Sequence, residues 1–319
     1  MATGELLAEL VRAHYADDQA RFGNLLNQVI AAESRAGHVR LAERLRHLRA
    51  AQEQAPARAT TLARPPRELS EVLSVEYSEV GLRDVVLGSD ERATLESYIV
   101  EQRAAQLLSE HGLRPRRRLL LHGPPGSGKT LIAHAFAGEL SLPLARVRLE
   151  VLFSRYLGET AAALADVFAH AARVRGVYLF DEFDALGRTR LADNDVGEIK
   201  RIVTTFLQLL DADPGDSVFV AATNIGGELD PALFRRFDDV LELAEPTPEQ
   251  AGELLARLLR LPPTRRRPKE LAEAAHGLSF ADIRAAVDDA RKDAVLSGGD
   301  TPTLHAVQER LRARAVRLR

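Results

Sequence analysis

The sequence contains no cysteine, no tryptophan and a single methionine, and only 5% of its residues are aromatic. Without cysteine, disulfide scaffolds, iron–sulfur clusters, thiolate zinc sites and cysteine nucleophiles are excluded together. Lysine is scarce as well: the basic residues are almost all arginine, with Lys129, Lys200, Lys269 and Lys292 the only lysines. Long apolar runs are missing, since no stretch approaches ~18 uninterrupted apolar residues. Glu5, Glu9, Asp17 and Asp18 also break up residues 1–30. Neither a signal peptide nor a transmembrane helix is expected, and the expected location is cytoplasmic. A net charge of −3 with 45% hydrophobic residues gives no electrostatic reason to expect nucleic acid or an anionic membrane as the main partner.

A chain of 319 residues predicts about two domains at roughly 100–200 residues each. Residues 3–16 and 18–53 carry apolar positions at helical spacing, among them Leu25, Leu26, Val29 and Ile30, then Val39, Leu41, Leu45 and Leu48, with Gly37 as a break. We expect a helical N-terminal domain over 1–54 and a linker over 55–75, where Ala, Pro and Arg dominate without an apolar period. From 119 onward, apolar runs at Leu119–Leu121, Val147–Val151, Val177–Phe180, Val218–Ala222 and Val240–Leu243 alternate with helical patterns. Runs apolar at every position predict strands buried on both faces, hence an α/β fold with a parallel sheet sandwiched by helices over 76–245. After Pro246 and Pro248 the pattern is helical throughout (249–260, 268–276, 280–297, 302–316), which predicts a small all-helical lid over 246–319.

Gly123-Pro124-Pro125-Gly126-Ser127-Gly128-Lys129-Thr130 matches G-x-x-x-x-G-K-[ST] and stands between a predicted strand and a predicted helix. The glycines let backbone N–H groups turn inward around phosphate oxygens, and the helix N-terminus adds partial positive charge. Lys129 is then placed to reach the β/γ-phosphates and the Thr130 hydroxyl to ligate Mg²⁺, with Leu131 completing the nucleotide-binding stretch. The second half of the site is Asp181-Glu182 at the carboxyl end of the Val177–Phe180 strand, where α/β sheets bind ligands. Asp181 is expected to hold Mg²⁺ through its water shell and Glu182 to orient the water that attacks the γ-phosphate of ATP.

With these residues in place the sequence resembles the AAA ATPases over about residues 80 to 300. Ser154-Arg155-Tyr156-Leu157-Gly158-Glu159-Thr160 looks like the family's first pore loop, and the resemblance implies that Tyr156 and Leu157 grip substrate in a central channel. Arg188 to Val196 would be the second pore loop, and Gly197 to Arg201 lies where the family couples neighbouring subunits. Ala221-Ala222-Thr223-Asn224 resembles the sensor-1 segment, whose Asn224 would help place the attacking water. Asp230 to Asp238 resembles a shortened arginine-finger segment, implying that Arg235 and Arg236 reach the γ-phosphate bound by a neighbouring subunit; both are also explicable as surface ion-pair formers. Gly277-Leu278-Ser279-Phe280-Ala281-Asp282 resembles the segment that packs by the adenine, with Phe280 in place of a small residue and Arg284 poorly placed for the sensor-2 role. Val86 to Gly88 are the expected base contacts.

The resemblance implies an Mg²⁺-ATP-driven homo-oligomeric ring, expected as a hexamer, that remodels, unfolds or disassembles protein substrates. The N-terminal helices would recruit the substrate or an adaptor, and a separate protease partner fits this plan. The alternatives are a nucleotide-gated assembly scaffold without threading, and a nucleic-acid motor. The last is disfavoured because only helical residues follow 244, and Arg114, Arg116 to Arg118, Arg265 to Arg267 and the tail from Arg310 read as solvated faces or intersubunit ion pairs.

Overall fold

The structure, a computed structural model, describes residues 9, 24–30, 32, 38, 69–155, 160–183, 195–224, 234–261 and 269–317, with the backbone alone for 153–155 and 195–200. The chain divides into two compact units, Met1–Ala59 and Thr60–Arg319. In the first, residues 24–30 are helical and Leu25, Val29 and Ile30 are buried, the four-residue spacing of Leu25 and Val29 placing them on one helix face. Glu9 and Ala32 are helical as well, and apart from His38 the rest of the expected N-terminal helices lies outside the described residues.

The second unit is built on a six-stranded sheet: β1 (Leu73–Glu76), β2 (Arg118–His122), β3 (Leu144–Val147), β4 (Val177–Phe180), β5 (Val218–Thr223) and β6 (Asp239–Glu242). The spatial order is β1-β3-β4-β5-β2-β6. β2 to β6 run parallel, and β1 closes the edge antiparallel to β3. The sheet is therefore mixed by one edge strand. β4, β5 and β2 are adjacent, so whatever follows their carboxyl ends converges on one crevice.

The described helices of this unit are α1 (Ser89–Arg103), α2 (Ala105–Glu110), α3 (Lys129–Leu140), α4 (Leu149–Arg155), α5 (Thr160–Arg173) and α6 (Asp195–Ala212), followed by a lid of α7 (Pro248–Leu258), α8 (Lys269–Ala274), α9 (Phe280–Leu296) and α10 (Leu304–Arg317). Alternation along β2 shows how the layers form. Leu119 and Leu121 face one side, packing with Leu95 and Tyr98 of α1 and Ile132 and Phe136 of α3. Leu120 faces the other, with Phe168 of α5 and Phe206 of α6. On that second face Phe168 stacks on Phe219 with centroids 5.1 Å apart, and Phe206 meets Phe180 edge-on at 5.0 Å and Phe183 at 4.9 Å. The scarce aromatics are thus concentrated in one layer. The lid has its own core around Leu255, Leu271, Ile283, Val287, Val307 and Leu311. It opens with Pro248 in the first turn and a reciprocal cap, the Gln250 N–H donating to Thr247 Oγ1 and the Thr247 N–H to Gln250 Oε1.

Two segments differ from expectation. β1 begins inside 55–75, the segment expected as a linker, and runs to Glu76; four residues are too few for its alternation to stand out. The third strand is Leu144–Val147, sharing only Val147 with the expected Val147–Val151 run, which Arg148 and Glu150 interrupt; Leu149 begins α4, and Leu149 and Leu152, three apart, turn inward as a helix face.

The basic cluster at 116–118 is also accounted for inside the chain. Arg116 pairs with Glu101 at 2.6 Å and Asp239 at 2.5 Å and lies 4.6 Å over the Tyr98 ring. Its hydrogen bond holds the Glu101 carboxyl below the usual carboxylate range. Arg117 is buried against Asp213 and donates to the Gly215 carbonyl at 2.7 Å. In the tail, Arg310 pairs with Asp293 and Arg314 with Asp282. Arg265 to Arg267 lie outside the described residues.

Candidate functional site

After His122 the chain leaves β2 and turns through Gly123 to Gly128 before α3 begins at Lys129. Gly123 has φ +152° and a Cβ there would stand 2.1 Å from the Leu243 carbonyl oxygen; Gly126 and Gly128 have φ +79° and +100°. These are backbone states that favour glycine. The Lys129 ammonium, 7% exposed, donates to the carbonyls of Gly123 (2.8 Å) and Pro124 (2.9 Å). Buried cationic side chains are held by hydrogen-bonding partners of this kind.

Across the crevice β4 delivers Asp181 and Glu182. Thr130 Oγ1 donates to Asp181 Oδ2 at 3.0 Å, joining the loop's hydroxyl to the strand's acid, and the Glu182 N–H donates to Asp181 Oδ1 at 3.0 Å. Glu182 has φ +53°, uncommon for a non-glycine residue, and its side chain is exposed and lines the crevice. Such conformations are enriched at functional sites. Asn224, the residue after β5, lines the same space.

The space is a cavity of about 720 Å³, within the range that holds a small molecule or cofactor. Pro125 to Leu131, Asp181, Glu182 and Asn224 form its polar floor; Val80, Val85 and Val86 form an apolar wall; Leu254, Phe280, Ala281 and Arg284 close it from the lid. The lid touches the loop directly. The Ala281 N–H donates to the Gly126 carbonyl at 3.2 Å, and a Cβ on Gly126 would stand 2.5 Å from Ser279 Oγ. Ser279 caps α9 by accepting from the Asp282 N–H, and its hydroxyl donates to Asp282 Oδ2 at 2.6 Å. Burial works to raise the Asp282 carboxyl, but the Ser279 hydroxyl and Arg314 outweigh it and hold it below the usual range.

Gly126 to Leu131, Asp181, Glu182 and Asn224 therefore meet, with Gly123 and Pro124 contributing carbonyls to Lys129. Arg235 and Arg236 do not line this cavity: both are exposed on the turn before β6, and Arg236 pairs with Asp211 at 2.6 Å. Tyr156 and Leu157 lie outside the described residues, as do Arg188 to Asn194. Two arginines of the cavity were not assigned a role from the sequence. Arg146 on β3 donates to Asp181 Oδ2 at 3.0 Å, and Arg284, poorly placed for the sensor-2 role by its sequence position, reaches the cavity from α9. Of the expected base contacts, Val86 lines the wall, joined by Val85. For Mg²⁺ the donors fit: a hydroxyl and a carboxylate held together are hard oxygen ligands of the kind this ion takes alongside phosphate and water. No cluster of three His, Asp or Glu residues suited to a metal occurs among the described residues, so such an ion would rely on the nucleotide for further ligands.

A glycine loop ahead of a helix, an acid pair on the neighbouring strand and a helical lid over both define a P-loop nucleotide-binding α/β protein. Comparison with known proteins narrows the class. Residues 119–245 match the family model described as ATPase family associated with various cellular activities (AAA). The chain is 35% identical over 300 residues to the uncharacterized AAA family ATPase y4kL of Sinorhizobium fredii, covering 93% of this chain and 90% of that one. It is 33% identical over 250 residues to the proteasome-activating nucleotidase of Aeropyrum pernix, covering 74% of this chain and 59% of that one. Among solved structures it is similar to the AAA domain of FIGL-1, with a TM-score of 0.61 and 26% identity over 76% of this chain and 86% of that one. A second structure of that domain, with a TM-score of 0.60, is in complex with ADP. The chain belongs to the AAA family and is an ATPase of that family. No helix among the described residues is long and apolar enough to cross a membrane.

Proposed function

We propose that this AAA ATPase works as a ring, a hexamer, in which each Mg²⁺-ATP site is completed by Arg235 and Arg236 of the neighbouring copy and hydrolysis drives the remodelling or unfolding of a protein substrate. The observation that carries this reading is the position of those arginines: exposed, on the turn before β6, and away from their own chain's cavity. A guanidinium exposed there can reach another copy's phosphate, Arg236 by exchanging its pair with Asp211 for it, and would stabilise the charge that spreads over the transferring phosphoryl. Head-to-tail contacts of this kind close into rings.

Within one copy, Lys129 and the loop hold the phosphates, and Thr130 with Asp181 hold the metal. Glu182 accepts the proton of the attacking water, and Asn224 fixes that water's position. Bound there, Mg²⁺ neutralises charge developing on the phosphate oxygens. Tyr156 and Leu157 grip extended polypeptide through apolar contact that is indifferent to sequence, and the N-terminal helices recruit substrate or adaptor. Similarity to a proteasome-activating nucleotidase supports a protein substrate and a separate protease as partner.

Glu182→Gln is expected to bind ATP without turning it over. Tyr156→Ala is expected to retain most ATPase activity and lose processing of an unfoldable reporter protein. Substrate processing by Tyr156→Ala at the wild-type rate would leave the scaffold alternative in its place.

A further inference from the structure

Asp181 carries more hydrogen bonds than a metal-holding acid needs. Its Oδ1 accepts from the Glu182 N–H at 3.0 Å, and its Oδ2 accepts from both Thr130 Oγ1 and Arg146 Nη2 at 3.0 Å. The Thr130 bond is compatible with a metal: a hydroxyl whose proton rests on the carboxylate still offers oxygen lone pairs to a cation. The Arg146 bond is not, because a guanidinium on Oδ2 fills a lone pair that the water shell of a dication would use, and two cations sharing one carboxylate repel.

The placement of Arg146 follows from the sheet. On β3 it pairs in register with Leu179 of β4, two residues before Asp181, which is diagonal cross-strand reach for a long side chain. Its side chain is 46% exposed, whereas that of Asp181 is 13% exposed, so the arginine has solvent to retreat into and the acid does not. No second carboxylate lies within ion-pair distance of Arg146 among the described residues.

We infer that Arg146 is an internal counter-ion for Asp181 that competes with the divalent metal, so that the Arg146–Asp181 pair sets the free Mg²⁺ concentration at which the nucleotide site loads. The inference rests on reading this cavity as a Mg²⁺-nucleotide site. Arg146 is here a positioning residue: it holds Asp181 against Thr130 until the metal replaces it, then swings outward. A half-exposed ion pair biases such an equilibrium modestly. On that scale, removing the competitor should lower the half-saturating Mg²⁺ by roughly two- to sixfold.

The test uses the full chain with a fluorescent ADP analogue, titrating free Mg²⁺ for the wild type, Arg146→Gln, Arg146→Met and Arg146→Lys, and repeats the series with Mn²⁺ followed by electron paramagnetic resonance. Arg146→Gln and Arg146→Met should load at the lower metal concentration in both titrations. Arg146→Lys, which keeps a cation at the same carboxylate, should stay near the wild type, and analogue affinity in EDTA should be unchanged. Equal metal dependence in all four proteins would overturn the inference. So would a raised metal requirement or weaker analogue binding at saturating Mg²⁺ in the Gln and Met variants, either of which would assign Arg146 to the phosphates. If none of the four proteins bound the analogue, the nucleotide reading itself would fall.

Discussion

Gly126→Ala tests how closely the lid and the phosphate loop depend on each other. Gly126 has φ +79°, and a Cβ there would stand 2.5 Å from Ser279 Oγ, 2.9 Å from Ser279 Cβ and 3.1 Å from Ala281 Cβ. The left-handed backbone costs an L-residue about 1–2 kcal/mol. Moving Ser279 aside also sacrifices the α9 cap, in which Ser279 Oγ accepts from the Asp282 N–H at 3.2 Å, a loss of ~1 kcal/mol. Together the terms reach ~2–3 kcal/mol, and at about 1.4 kcal/mol per factor of ten they set a ceiling of roughly 30- to 150-fold on the loss of nucleotide affinity. Calorimetric titration with ADP and excess Mg²⁺ should show a loss of at least about tenfold within that ceiling. Gly112→Ala is the control: its φ is +70° with no atom within 4 Å of the added Cβ, so it should lower stability yet leave ADP binding intact. Adding Ser279→Gly to Gly126→Ala removes both Ser279 atoms in the clash, and glycine at an N-cap costs only a few tenths of a kcal/mol, so the double variant should regain much of the lost affinity. Wild-type ADP binding by Gly126→Ala, or no recovery in the double variant, would refute the reasoning.

Phe206→Ala should lower the unfolding free energy by about 3–5 kcal/mol in denaturant titrations, since Phe206 meets Phe168, Phe180 and Phe183 and is fully buried; a loss below 1 kcal/mol would mean that this layer packs loosely. His170 is buried edge-on to Tyr178, and burial, with Arg173 nearby, holds its imidazole below its ordinary value of 6.5. The unfolded chain therefore takes up a proton that the folded chain resists. This contribution is intact above pH 6.5 and is lost as pH falls below it, with a slope of at most about 1.4 kcal/mol per pH unit. Urea midpoints compared at pH 7.5 and 5.5 should show a smaller drop in His170→Gln than in the wild type, and equal drops would contradict the assignment.

What the sequence made legible is what chemistry makes local. The phosphate loop needs glycines at positions with positive φ next to a lysine and a hydroxyl, and all of these lie within Gly123 to Thr130. The acid pair follows a strand that is buried at every position, so Asp181 and Glu182 could be placed before any contact was known. The lid helices were readable from their 3.6-residue period and from prolines at their borders. What stayed hidden depends on register and packing. Arg146 matters because β3 lies beside β4 in one particular alignment, and Arg284 because the α9 N-terminus docks on Gly126. In an arginine-rich chain neither stands out. Arg116 and Arg117 read as solvated charge or intersubunit pairs, yet their partners Asp239 and Asp213 belong to the same chain, far along it. β1, four residues long, is too short for its alternation to signal a strand.

The central claim is that one copy supplies the cavity and its neighbour the arginines, and mixing two defective proteins tests it most directly. Glu182→Gln keeps Arg235 and Arg236 but lacks the residue that activates water; Arg235→Ala/Arg236→Ala keeps the cavity but has no guanidinium to offer. Each alone should hydrolyse ATP far below the wild-type rate. Co-assembled in equal amounts, about a quarter of the interfaces would pair an intact cavity with intact arginines, and ATPase activity should reappear. A mixture as inactive as its parts, or an arginine-free variant that hydrolyses ATP at the wild-type rate, would contradict the account.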